Sequence, residues 1–110
     1  MDKEERSPLD YLPEIIREIQ AVSNPDEIIL YGSYARGDYA PDSDLDLLVV
    51  KDQVESPNEE AAKIYRALAY LTVSVDVVVV SKAFFQRYRN IIGTVVRPAV
   101  TEGRVIYARQ

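Results

Sequence analysis

The chain has 110 residues, of which 47% are apolar, with few glycines and prolines and a formal charge of −5. That length suits one compact domain with a modest core, and the acidic balance argues against an extended basic surface for nucleic acid. Cysteine and histidine are both absent, which excludes disulfides, thiolate or imidazole metal sites and imidazole bases, leaving carboxylates, hydroxyls, amines, guanidinium groups or a bound metal for any catalysis.

No apolar run is long enough to span a bilayer, and the charged stretch Met1–Arg6 is not followed by the apolar segment of a secretory signal. A cytoplasmic protein without membrane association is therefore the expectation. No repeat, linker or low-complexity segment interrupts the chain, so residues 1–110 are expected to form a single domain.

Ser7-Pro8-Leu9-Asp10 carries the signature of a helix start, with Ser7 as cap, Pro8 in the first position and Asp10 closing a capping box. Leu12, Ile15, Ile16, Ile19 and Val22 follow at helical spacing, and Asn24-Pro25-Asp26 breaks the chain before a short apolar strand, Glu27 to Tyr31. Gly32-Ser33 then reads as a tight turn into a single helical turn, closed by Gly37. A second strand opens near Asp44 and continues through Leu45 to Val50. Residues 58–71 read as a helix capped by Asn58, with Ala61, Ile64, Tyr65, Leu68 and Leu71 along its apolar stripe. The β-branched run Val73 to Val80 reads as a buried central strand, with Asp76 as its one charge. Ser81 caps a helix through about Arg89, Val95 to Thr101 forms another that Gly103 stops, and Arg104 to Tyr107 is a final strand. Alternating helices and strands of this kind predict an α/β fold: a small mixed β-sheet flanked by helices, because the connection between the first two strands is too short for a parallel crossover.

Three carboxylates carry the chemistry. Asp44 and Asp46 stand at i and i+2, so on a strand they project from one face. Asp76 interrupts a second apolar strand. If the two strands are neighbours, the three buried carboxylates converge and repel, and a hard divalent cation would offset that repulsion. Taken alone, Asp44 also suits a cap or turn, whereas Asp46 between leucines and Asp76 between valines fit that role poorly. Gly32 lets backbone approach a phosphate, and Ser33 offers a hydroxyl and an N–H at the start of a helical turn. Arg36 is placed either to reach a phosphate or to pair with Asp38 or Asp42. Lys82, Arg87 and Arg89 read as a solvated helix face, and most of the eight tyrosines as residues at the edge of the core.

Gly32-Ser33, ten residues, then Asp44-Leu45-Asp46, with a later Asp76 in a hydrophobic strand, resembles the signature of the DNA polymerase β-type nucleotidyltransferase superfamily. The fuller strings Gly-Ser-Tyr-Ala-Arg-Gly-Asp and Ser-Asp-Leu-Asp-Leu, together with the closing Glu102-Gly103-Arg104-Val105-Ile106-Tyr107, are similar to its minimal nucleotidyltransferase (MNT) branch. The resemblance spans nearly the whole chain and implies the polymerase β-like nucleotidyltransferase core. It implies that Asp44, Asp46 and Asp76 hold Mg²⁺ (two ions, with Mn²⁺ as the alternative metal), and that Asp76 helps deprotonate the acceptor. Gly32 and Ser33, assisted by Arg36, would hold the triphosphate of ATP. Stand-alone domains of this branch resemble antitoxins that add AMP to a tyrosine of a HEPN-type toxin, which would be the partner in a hetero-oligomer. Two other functions stay open at this point: an antitoxin acting by binding alone, and a nucleotidyltransferase for small molecules.

Overall fold

A computed structural model describes residues 6–110; the charged start of the chain, Met1 to Glu5, on which the expectation about a leader bears, lies outside the described residues. The chain opens with a 3-10 turn, Pro8–Tyr11, and Ser7 caps it as expected: its hydroxyl accepts the Leu9 N–H while the Asp10 carboxylate accepts the Ser7 N–H. Helix α1, Leu12–Ser23, follows directly, with Pro13 tolerated in its first turn. It ends where Asn24 adopts a left-handed conformation (φ 52°).

Strand β1 is Glu27–Tyr31, the helical turn α2 is Ser33–Arg36, and strand β2 is Leu45–Lys51. Helix α3 is Pro57–Leu68, β3 is Val75–Ser81, α4 is Lys82–Tyr88, α5 is Val96–Glu102, and β4 is Arg104–Ala108. The four strands form one sheet in the order β3-β2-β1-β4. β1 runs antiparallel to both β2 and β4, whereas β2 and β3 are parallel. The mixed sheet is as expected: the α2 turn reverses the chain between β1 and β2, and α3 supplies the crossover to β3.

Alternate residues of β1, β2 and β3 enter two different cores. Leu45, Leu47, Val49, Val77 and Val79 face α1 and α3, where Ile15, Ile19, Ile64 and Leu68 complete the packing. Leu48, Val50 and Val80 face the other way, with Ile29, Ala99 of α5 and the partly buried Phe85 of α4. Burying each large aliphatic side chain contributes about 1.5–3 kcal/mol, so both layers hold the sheet in place. Among the described residues, no helix is long and apolar enough to cross a membrane.

Two expectations need correction. The valine run does not mark a central strand: β3 is at the sheet edge. Val77, Val79 and Val80 are nonetheless buried, because helices cover both faces of this edge, and covered faces rather than a central position make a strand continuously apolar. Helix α3 is capped by Ser56, not Asn58, and ends at Leu68 rather than Leu71. The Ser56 hydroxyl accepts the Glu59 N–H and Pro57 takes the first helical position, which leaves Asn58 inside the first turn.

Candidate active site

Strand pairing brings the singled-out residues to one end of the sheet. Tyr31 at the end of β1 is opposite Asp46, and Asp46 is in turn opposite Asp76 across the parallel β2–β3 pair. Asp44 is two residues before Asp46, just outside β2, where the Leu45 N–H bonds to the Ser74 carbonyl at 3.0 Å. Tyr31, Asp46 and Asp76 thus share the face that Leu48 and Val50 continue towards α4 and α5.

The turn after β1 closes over this row. Gly32 has φ 78° and ψ −158°, a combination open essentially to glycine alone. A Cβ at this position would sit 2.2 Å from Asp46 Oδ2, so the carboxylate lies directly against the turn backbone. Tyr34, only 2% exposed, plugs α2 into the α1–α3 core, and its ring stacks on Tyr39 with centroids 4.2 Å apart. One side of the turn is thereby anchored while Gly32 and Ser33 are held beside Asp46. Gly37 ends the turn in the left-handed region, as its sequence position suggests.

The carboxylates differ in setting from the expectation of three buried groups. Asp44 and Asp76 are exposed, and only Asp46 is half-buried. Nor do they close into a ready clasp: among the described residues, no group of three carboxylates stands in metal-holding geometry. Neighbouring like charges favour the protonated form of a carboxylate, and Asp46 shows this. Burial, followed by the charges of Asp76 and Asp44, pushes its pKa above the ordinary carboxylate value, with Arg36 acting in the opposite direction. An all-oxygen, acidic set around a half-buried carboxylate is the donor chemistry that suits Mg²⁺ or Mn²⁺.

Arg36 takes the carboxylate option at its Nε, which donates to Asp38 Oδ2 at 3.1 Å. Its second partner is Glu102 at the end of α5, at 2.9 Å, and not Asp42. Lys82, Arg87 and Arg89 are exposed, as a solvated helix face should be. Two tyrosines that the sequence does not single out as site residues, Tyr31 and Tyr65, border the carboxylates. Tyr31 is pushed up to about 12 by burial and by the nearby Asp46 and Asp76 charges. Tyr65 of α3 accepts the Val77 N–H at 2.7 Å and donates to Asp76 Oδ1 at 3.3 Å. Burial raises its pKa, with the Val77 N–H opposing and Asp76 adding to the shift, so it keeps its proton at neutral pH. The signal for Tyr31 was its place directly before Gly32, at a strand end that a short connection returns to the Asp46 strand.

The family model described as the nucleotidyltransferase domain matches residues 9–107. Two relatives from Methanocaldococcus jannaschii are named as putative protein adenylyltransferases. One is 37% identical over 82 residues, covering 74% of this chain and 77% of its own length. The other is 35% identical over 54 residues, covering 49% of this chain and 54% of itself. Among solved structures, a putative nucleotidyltransferase from Sulfolobus solfataricus superposes with TM-score 0.65 at 20% identity, covering 98% of this chain and 94% of that one. A toxin–antitoxin structure with AMP-PNP superposes with TM-score 0.52 at 23% identity, covering 92% of this chain and 73% of that one.

Proposed function

The chain belongs to the nucleotidyltransferase domain family, and from that premise we propose that it transfers AMP from ATP to a tyrosine hydroxyl of a HEPN-type toxin, acting as that toxin's antitoxin in a hetero-oligomer. The observation that carries the reading is the contact between the two halves of the motif, Asp46 Oδ2 lying against the Gly32–Ser33 turn with Asp76 in register beside it. The relatives' name, protein adenylyltransferase, supports a protein acceptor. The MNT resemblance and the toxin–antitoxin structure with AMP-PNP support the partner and the nucleotide.

In this reading the Gly32–Ser33 turn takes the triphosphate, because the first N–H groups of a helical turn have no carbonyl partner within it and point outward. Arg36 is already engaged by Asp38 and Glu102, so it assists the phosphates only by exchanging one of those partners. Asp44, Asp46 and Asp76 would hold Mg²⁺, which supplies charge neutralisation for the triphosphate and for the departing pyrophosphate. Asp76 accepts the proton of the tyrosine hydroxyl as its oxygen bonds to the α-phosphorus; the bond from that phosphorus to the bridging oxygen breaks, and pyrophosphate leaves. Catalysis then consists of positioning and charge neutralisation, with no covalent enzyme intermediate. Residues 1–110 act as one domain in this scheme.

Cells expressing the partner toxin test the reading. Co-expression of this chain is expected to restore growth, and Asp44→Ala with Asp46→Ala is expected to abolish the rescue while complex formation persists. Rescue by the double variant would instead make it an antitoxin that works by binding alone.

A further inference from the structure

The edge position of β3 creates a problem that Tyr65 solves. Asp76 is exposed on an outermost strand, with no neighbouring strand on its outer side to fix its side chain. Tyr65, 40% exposed in the middle of α3, reaches around that edge. A phenol hydroxyl has one proton to give and lone pairs to accept with. Because it accepts the Val77 N–H at 2.7 Å, its own proton turns away, and the acceptors within reach are Asp76 Oδ1 at 3.3 Å and the Val77 carbonyl at 3.5 Å. The carboxylate is the charged acceptor and the nearer one, so it takes the proton. Among the described residues, Asp76 Oδ2 enters no hydrogen bond or ion pair.

We propose that Tyr65 is a positioning residue for Asp76: its hydroxyl, braced by the Val77 amide, occupies Oδ1 and orients the carboxylate so that Oδ2 is presented to a divalent cation. The inference rests on the reading that Asp76 serves a metal-dependent transfer. Outer partners of metal-binding carboxylates fix ligand orientation in this way, and removing one typically weakens metal binding about 10–100-fold. The brace gives the hydroxyl of Tyr65 a role within an otherwise apolar helix stripe.

Mn²⁺ titrations of the full chain, followed by electron paramagnetic resonance, test it with three proteins: the parent, Tyr65→Phe and Asp76→Asn. Tyr65→Phe keeps the ring, and its urea midpoint, measured alongside, separates a folding effect from a change in metal affinity. The expected result is an Mn²⁺ dissociation constant raised about tenfold or more in Tyr65→Phe, with a larger loss in Asp76→Asn. Wild-type affinity in Tyr65→Phe together with weakened binding in Asp76→Asn overturns the positioning role alone. Undiminished binding in both variants, or none by the parent, overturns the metal reading and this inference together. With ATP and Mg²⁺, an AMP unit found on Tyr65 itself would also overturn the inference, by making the residue an acceptor instead of a brace.

Discussion

At Gly32 the backbone conformation and the approach of Asp46 impose the same requirement. A side chain there meets a left-handed φ and a carboxylate oxygen 2.2 Å from its Cβ. Gly32→Ala is therefore expected to cost about 1–3 kcal/mol of stability from backbone strain. It should also lower AMP transfer about 100-fold by displacing Asp46, which urea denaturation and single-turnover rates would measure. Asp46 itself carries a stability cost when ionised. Its folded-state pKa is raised above the ordinary 3.8, so its contribution to stability is full below that value and is lost as pH rises through the folded pKa. Asp46→Asn removes the neutral-pH penalty. In the absence of divalent cations it is expected to be more stable than the parent at pH 7, with the difference shrinking towards pH 3.8, while its transfer activity is lost. Equal urea midpoints at neutral pH would contradict the cost that burial and the Asp76 and Asp44 charges place on the ionised carboxylate.

At the scale of elements, a second carboxylate holds the far end of the sheet together. Glu60 of α3 accepts from Ser23 at the end of α1 at 2.6 Å and pairs with Lys51 at the end of β2 at 3.1 Å, with Lys63 at 3.4 Å. Burial alone would raise its pKa, but the Ser23 and Lys51 hydrogen bonds and the two lysine charges hold it below the ordinary 4.5. Its stabilisation is thus present above pH 4.5 and is lost as pH falls from there through the folded pKa. Glu60→Gln should cost about 1–2 kcal/mol at pH 7, and the deficit should vanish on acidification; a deficit independent of pH would point to packing instead. Most elements were legible in the sequence because each rests on a local signal. The Ser7 and Ser81 caps, the Gly37 stop and the apolar stripe of α1 all appear where their residues place them. The edge position of β3 was not legible, since a valine run records covered faces and says nothing of neighbours. Ser56 was missed because Pro57 takes the first helical position and so sets the cap two residues ahead of the more obvious Asn58.

For the whole molecule, the candidate site was legible to the extent that its residue types suit the proposed phosphate and metal chemistry. Gly32, Ser33, Asp44, Asp46 and Asp76 use small, charged or conformationally special residues whose demands show in a single chain. Two strand pairings then bring them together at one end of the sheet. The contact of Tyr65 with Asp76 was hidden because Tyr65 reads as one more apolar position in a helix stripe, and its hydroxyl meets Asp76 only once α3 lies against the β3 edge. Acceptor recognition leaves no comparable local mark, because it depends on the shape of a second molecule. The most direct measurement is the intact mass of the HEPN partner after incubation with this chain, ATP and Mg²⁺. The partner should gain one or more whole AMP units on tyrosine, and none when Asp44→Asn and Asp46→Asn are combined. An unchanged partner mass with the wild-type chain, or the same gain with the double variant, would contradict a nucleotidyl-transfer site built on these carboxylates.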